Sequence, residues 1–145
     1  AARGALGGVV DLVRSSPRSR NLSPDSELVR HHLANVRISL ELVSSLLTQV
    51  TETVTRRRRL GQSLNERGLQ IQLDSLKVAS ADISFAAIDE LVQLAGVGFG
   101  YLQGSPVPLE RVFRDLRSAS LNNSNDRLRQ SVGGYTLLDG SKFYR

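Results

Sequence analysis

The residues best suited to chemistry lie in one stretch, from Pro106 to Asp126. Charged and apolar residues alternate through its first part, and Pro106 and Pro108 fix the backbone for a helix start. The stretch ends in a polar turn, Asn122–Asp126, whose amide side chains both donate and accept hydrogen bonds. It carries more information about function than the rest of the chain.

Other reactive residue types are scarce. The chain has no cysteine, which excludes a disulfide framework, a thiolate metal site and a cysteine nucleophile. The only histidines, His31 and His32, are adjacent, and no glycine-elbow motif accompanies them, so a nucleophilic triad is not indicated. Two neighbouring histidines do not make a metal site, and the pattern favours a pair on a helix surface. We therefore expect no metal.

Three glycines, Gly96, Gly98 and Gly100, form the densest glycine cluster in the central part of the chain. They follow a helical pattern rather than a strand, and no βαβ pattern surrounds them, which argues against a dinucleotide-binding fingerprint. Glycine adopts the left-handed conformation that ends helices, so the cluster predicts a helix terminus.

The net charge of +5 comes from seventeen arginines and two lysines set against fourteen carboxylates. Only Arg56–Arg59 is a cluster, and four consecutive residues point around a helix rather than along one face. No aromatic residue lies within that segment to stack on bases. The pattern indicates a solvated helix end, and nucleic acid is not an expected partner.

The composition is that of a soluble globular protein: 145 residues, 40% of them hydrophobic, suit one domain. No uninterrupted apolar run approaches the roughly 18–20 residues that cross a bilayer, and no signal-peptide pattern opens the chain. We expect a cytoplasmic protein that does not enter a membrane.

Residue patterns typical of helices cover almost the whole sequence. The first covers Arg3–Ser15, and Ser23–Glu27 is a start signal for a long helix. Along that helix apolar residues recur at steps of four and three: Val29, Leu33, Val36, Leu40, Val43, Leu47, Val50 and Val54. A third helix is predicted over residues 65–95, and a fourth begins after Pro108.

These elements predict an all-α fold, an antiparallel bundle of four helices with short connections. We assign residues 1–132 to the bundle domain and 133–145 to a C-terminal tail, and residues 126–132 could form one or two further helical turns. The helix at 65–95 is apolar on more than one side and must be covered by other helices or another subunit. We expect its outer side to leave apolar surface for a companion chain.

The order of these segments resembles the C-terminal α-helical domain of the acyl-CoA dehydrogenase family of flavoenzymes. Ala1–Asp11 looks like the small-residue helix that opens the domain, and Val92–Phe99 looks like the end of its alanine-rich helix. Pro108–Arg117 is similar to the signature helix that follows, which includes an Arg-Asp pair. The resemblance covers nearly the whole chain.

The resemblance implies FAD as cofactor and an acyl thioester as substrate. Gln93 and Gly96 would approach the FAD of a neighbouring subunit, and Asn125 and Arg127 fall where relatives place polar FAD contacts. The first connection lacks the phenylalanine and glycine of the family's phosphate-contacting segment, although its arginines could reach a phosphate: Arg18 and Arg20. Arg114 and Asp115 would form a partly buried structural pair.

The catalytic base is the main departure from the family. Aligning Arg114-Asp115 with the family's Arg-Asp pair places Asn123 where most dehydrogenases have a glutamate. An amide cannot accept the substrate's α-proton at any accessible pH. The catalytic residue is therefore unknown. Some branches of the family have their base at the start of the domain's first helix, and that position would lie at or just before Ala1.

The family's N-terminal α and β domains are absent from this chain. We expect a companion chain or a missing N-terminal half to carry the β-domain, with tetramer-like packing in a homo- or hetero-oligomer. We do not expect the chain alone to be active, and we expect it to be a fragment, a cleavage product or a subunit of a split enzyme.

Three functional hypotheses follow. The first is the C-terminal part of an FAD-dependent acyl-CoA dehydrogenase-like oxidoreductase, which introduces an α,β double bond into an acyl group on CoA or a carrier protein. The second is a flavin-dependent monooxygenase of the same fold, which does not need the glutamate. The third is a non-catalytic helical interaction subunit.

Overall fold

The computed structural model describes residues 1–15, 22–102, 104–122 and 124–139, and these residues are entirely helical apart from turns. The all-α prediction is confirmed. The described residues form five helices: α1 (Ala2–Ser15), α2 (Glu27–Arg59), α3 (Arg67–Gly100), α4 (Leu109–Ala119) and α5 (Asn125–Asp139).

Helix α2 begins where the start signal predicts. Ser26 is the N-cap, and its hydroxyl oxygen accepts a hydrogen bond from the backbone N–H of Val29 at 3.4 Å. Glu27 lies in the first turn and Arg56–Arg59 form the last turn, so both ends carry the charge that a helix dipole favours. At 1.5 Å per residue, α2 is about 50 Å long.

Helix α3 is the centre of the molecule because it contacts each of the other four helices. The predicted need to cover it on several sides is met within the chain. None of its large apolar residues between 67 and 96 is exposed, so the expectation of a bare outer side on this helix is wrong. The exposed apolar residues in the middle of the long helices lie instead on α2.

The main core lies at one end of the long hairpin formed by α2 and α3. There the first half of α2, the second half of α3, α1 and the start of α4 pack together. Its largest fully buried members are Val9, Val29, Val36, Ile88, Leu91 and Leu109. Outside the main core cluster, the buried apolar residues of the hairpin are Val50, Leu69 and Ala81.

The glycine cluster marks a break in α3. Gly96 has φ +68° and ψ −177°, which is outside helical geometry, and the chain then continues as a further turn to Gly100. The predicted helix end after Ala95 therefore coincides with the end of the regular helix. Only the extra turn beyond the break differs from the prediction.

Helix α5 is longer than the sequence pattern indicates, and it makes a fifth helix where four were predicted. It runs to Asp139 and crosses the predicted domain boundary after residue 132. Gly133 and Gly134 each cost about 1 kcal/mol in a helix relative to alanine. Contacts with α3 offset this cost, and Leu128, Val132 and Tyr135 are half-buried at helical spacing.

One described helix, α3, is long and apolar enough to span a bilayer by length and composition, with a window of mean hydropathy 1.3. The prediction from uninterrupted apolar runs missed this window because polar residues are dispersed within it. The same criterion is met by core helices of soluble proteins, and α3 packs against every other helix.

Candidate functional site

A network of charged and amide side chains joins α3 to the connection between α4 and α5. Lys77 Nζ donates a hydrogen bond to the carbonyl oxygen of Ala119 at 3.0 Å and another to Asn125 Oδ1. One ammonium group of α3 thus holds the last residue of α4 and the first residue of α5.

Asn125 is the centre of this network. Its side chain is buried, and its Nδ2 donates to Asp82 Oδ1 at 2.9 Å while its Oδ1 accepts from Lys77. Arg129 donates to the other oxygen of Asp82 and, at 2.9 Å, to Asp126 Oδ1. Both ends of the Asn125 amide are therefore satisfied within the chain, as a buried amide requires.

The backbone of the turn is also hydrogen-bonded. The N–H of Asn122 donates to the carbonyl oxygen of Ser118 at 3.1 Å, and that of Asn125 donates to the carbonyl oxygen of Ser120 at 3.3 Å. Asn123, the position of the family's glutamate, lies between these bonds but outside the described residues. The network fixes both ends of the segment that carries it.

A cavity of about 350 Å³ opens beside the network. It is lined by Asp82, Arg117, Ser120, Leu121, Ser124, Asn125, Asp126 and Arg129. The guanidinium of Arg117 lies over the ring of Phe85 at 5.4 Å, and Phe85 packs on Phe113 with ring centroids 4.7 Å apart. Aromatic packing on α3 and α4 therefore holds one cationic wall of a polar cavity.

The network at the α4–α5 connection is the first candidate surface, and the second lies at the end of the regular part of α3. Gln93 is exposed, and its Nε2 donates to Asp89 Oδ2 at 2.8 Å. A Cβ placed on Gly96 would meet no atom within 4 Å, so the glycine is required by its backbone conformation and not by lack of space. Gly96, Val97 and Gly98 are all exposed, so this backbone is open to a partner.

The two surfaces are separate. Gln93 lies eleven residues after Asp82 in the sequence, which along a helix is about 16 Å. Asn125 bonds to Asp82, so the structure does not join it to Gln93 in one site. Nothing in the described residues tests the predicted FAD contacts of either group.

The remaining predicted site residues are arginines. Arg127 is exposed in the first turn of α5, and no partner for it occurs among the residues that the structure describes. Its guanidinium is thus available to an anion. Arg18 and Arg20 lie outside the described residues, and their predicted phosphate contact stays a prediction.

Arg114 and Asp115, the Arg-Asp pair of α4, do not form an ion pair with each other. Arg114 pairs with Glu110 at 2.8 Å, and Asp115 pairs with Arg111 at 3.8 Å. The side chains of Arg114 and Asp115 are exposed, so the expectation of a partly buried pair between them is wrong. Adjacent residues on a helix point in different directions, whereas residues four apart share a face.

The histidines show a contact that sequence reasoning missed. His32 Nδ1 lies 2.9 Å from Glu90 Oε1, and Asn35 Nδ2 donates to the same oxygen at 3.0 Å, which joins α2 to α3. Only His31 is on the surface, and no group of three or more metal-ligating side chains is found among the described residues. The available signal was the acidic pair Asp89-Glu90 within the largely apolar second half of α3.

The fold and these two surfaces define an all-helical domain that presents polar groups at a helix break and a helix start. Residues 1–127 match the model of the family described as acyl-CoA dehydrogenase, C-terminal domain. The chain therefore belongs to the acyl-CoA dehydrogenase family, and the resemblance read from its motifs is confirmed. Comparison with curated proteins and with solved structures gave no match.

Proposed function

We propose that the chain forms the helical side of the flavin site in an FAD-dependent oxidoreductase that introduces an α,β double bond into an acyl thioester. The observation that carries this proposal is the family match over residues 1–127, which includes Gln93, Gly96, Asn125 and Arg127. The acyl group is carried by CoA or by a carrier protein.

The described residues differ in how well they fit FAD. Gln93 and Arg127 are exposed and can offer an amide and a guanidinium to the cofactor. Gly96 offers an open backbone. Asn125 is buried, and its amide bonds Lys77 and Asp82, so we assign it to holding the turn. Its predicted contact with FAD stays a prediction.

When bound, FAD supplies the redox chemistry by accepting the β-hydride. The chain's own residues position the cofactor and the substrate. Lys77 and Asp82 hold the turn that carries Asn123, and an amide there can orient a polar group but cannot remove the α-proton. The base comes from the companion chain or from residues before Ala1.

The companion carries the β-domain against which the flavin ring lies, and the complete assembly works in the cytoplasm. The test is reconstitution of this chain with such a companion, followed by anaerobic addition of acyl-CoA. We expect tightly bound flavin and its bleaching by the substrate. Flavin that binds but is not reduced contradicts desaturation.

A matched pair of variants locates the cofactor. Arg127→Ala removes an exposed charge from the start of α5, whereas Arg30→Ala removes one that bonds Asp25 and the carbonyl oxygen of Pro24 near the start of α2. We expect the first to weaken FAD binding about tenfold and the second to leave it unchanged. Equal retention of FAD by both variants contradicts the assignment of Arg127.

One observation favours a second candidate, a flavin-dependent monooxygenase of the same fold. Asn123 occupies the glutamate position, and activation of oxygen does not need that carboxylate. The same assembly, reduced chemically and exposed to oxygen, separates the candidates, because oxygen incorporated into an organic substrate identifies the monooxygenase. If the assembly binds no flavin, the chain is a helical interaction subunit.

A further inference from the structure

The four arginines at the end of α2, residues 56–59, have different surroundings. Arg57 is half-buried; it pairs with Glu66, and its Nη1 donates to the carbonyl oxygen of Ser63 at 3.3 Å. Arg57 therefore holds the connection between α2 and α3. The other three arginines of the cluster are exposed, and their side chains bond to no residue that the structure describes.

Two of these exposed arginines line a groove beside the last turns of α2, which has a volume of about 910 Å³. Its polar walls include Glu52, Arg56, Arg59 and Gln72. Glu52, Arg56 and Arg59 have the i, i+4, i+7 spacing of one helix face, so a carboxylate and two guanidinium groups face the same space. Arg58 does not line this space. The volume is typical of sites for small molecules, and we call this space the α2–α3 groove.

Gln72, the residue that α3 contributes to the groove, has an unpaired acceptor. Its Oε1 is shielded from water and accepts no hydrogen bond from the residues that the structure describes. Buried side-chain oxygens are in the large majority hydrogen-bonded, so this atom lacks a donor that the described chain does not supply. The last torsion of a glutamine side chain is soft, and a rotation there turns the oxygen toward the groove. A ligand with an O–H group supplies the donor.

The charge of this region indicates the rest of the ligand. Residues 52–67 include five arginines and two glutamates, so the segment has a net charge of +3. The carbonyl end of α2 offsets only about half of one charge. The carboxylate of Glu52 forms no ion pair in the described chain, although Arg56 is one turn away. Both cations and an acceptor are therefore available to one ligand.

We propose that the α2–α3 groove binds a phosphate monoester that also carries hydroxyl groups, such as a sugar phosphate. Arg56 and Arg59 donate charge-assisted hydrogen bonds to the phosphate oxygens. Glu52 and Gln72 have acceptor oxygens, and they accept from the hydroxyl groups of the ligand. Because Glu52 repels a phosphate placed beside it, the hydroxyl end of the ligand lies on the Glu52 side.

The α2–α3 groove is separate from both candidate surfaces of the flavin site. Gln72 precedes Asp82 by ten residues and Gln93 by twenty-one, which along a helix is about 15 Å and about 30 Å. The inference does not rest on the proposed function, because it uses only residues at this end of the α2–α3 hairpin.

Calorimetric titration of the full chain tests the proposal with three probes: glucose 6-phosphate, ribose 5-phosphate and glycerol 3-phosphate. Each probe combines a phosphate monoester with hydroxyl groups. We expect at least one of them to bind about tenfold more tightly than inorganic phosphate, because its hydroxyl groups add hydrogen bonds. Failure of all three probes to bind at concentrations up to about 10 mM overturns the proposal.

Three single variants locate the phosphate. Arg56→Gln and Arg59→Gln each remove a guanidinium group from the groove, and we expect each to weaken binding of the probe at least about fivefold. Arg58→Gln is the matched control, because it removes the same charge from the same cluster but not from the groove, and binding should be unchanged. Circular dichroism checks that the variants are folded. An equal loss in all three would show general attraction to a basic helix end and overturn the proposal.

Glu52→Ala tests the hydroxyl contacts. Removing this carboxylate lowers the repulsion of phosphate, so inorganic phosphate should bind more tightly than it does to the unchanged chain. The hydroxyl-bearing probe loses an acceptor at the same time, so its affinity relative to inorganic phosphate should fall at least about threefold. An unchanged ratio of the two affinities overturns the assignment of the ligand class, because simple charge attraction would strengthen both ligands alike.

Discussion

At the scale of single residues, the most consequential position is Asn125. The sequence places it in a polar turn, and the family resemblance predicts a polar contact with FAD, which the structure does not test. The structure shows it buried between Lys77 and Asp82, because an amide can accept from an ammonium and donate to a carboxylate at the same time. Sequence order could not reveal this, since the partners lie more than forty residues away.

Replacing Asn125 by alanine should destabilise the fold. The change leaves Asp82 Oδ1 and Lys77 each without one hydrogen bond in a half-buried setting, which costs about 1–3 kcal/mol. Asn122→Ala is the control, because Asn122 is exposed in the same turn and should change stability by less than about 0.5 kcal/mol. Urea denaturation measures both, and equal stabilities would show that the network contributes little.

At the scale of elements, the long helices were predictable and their ends were partly so. Residue types and their spacing predict three local features: the apolar face of α2, its Ser26 cap and the glycine at the end of the regular part of α3. Helix α5 was not predicted in full, because its stability depends on packing against α3 and not on propensity. Its half-buried residues, Leu128, Val132 and Tyr135, do have helical spacing, but two glycines interrupt the pattern.

Gly96→Ala should destabilise the protein although the site has room for a methyl group. At φ +68° and ψ −177° the backbone is in a region that is essentially restricted to glycine, with a cost of about 1–3 kcal/mol for other residues. Gly98→Ala is the matched control, since it lacks a positive φ and also has no atom within 4 Å of its Cβ. Thermal unfolding should show a loss for the first variant alone. Equal melting temperatures would mean that the break at Gly96 is absent.

The extent of α5 has its own test. Gly133→Ala and Gly134→Ala should each stabilise the chain by up to about 1 kcal/mol, because alanine favours a helix and neither site has an atom within 4 Å of the Cβ. Denaturant unfolding and helix content by circular dichroism measure the effect. If residues 133–139 are instead a tail, both substitutions will be without effect.

At the scale of the whole molecule, the arrangement is a helix surrounded by four others, with the main core at one end of the α2–α3 hairpin. The all-α class and the family were predictable, because helical periodicity and three ordered motifs survive in the sequence. The position of the core was not, because α2 carries apolar residues in every turn from Leu28 to Val54, while the main core includes only those in its first half. The same reasoning explains why the exposed apolar residues in the middle of the long helices lie on α2 and not on α3.

This uneven core should produce uneven protection from hydrogen exchange. Amides near Val36 and Ile88 lie in the main core and should exchange only on global unfolding, whereas those near the connection between Arg59 and Arg67 should exchange through local opening. Mass spectrometry of peptides from the two ends measures the difference. Uniform protection along the hairpin would contradict the described distribution of buried residues.

The central position of α3 also has a consequence for the order of synthesis. A ribosome completes α1, α2 and α3 before α4 and α5 emerge, so the side of α3 that receives them, with Lys77 and Asp82, is at first without those partners. Both groups are charged, and water can solvate them during that interval. On the nascent chain, α3 therefore exposes a polar site formed by Lys77 and Asp82. The domain is complete when α4 and α5 pack on α3 and Asn125 bonds to these two residues.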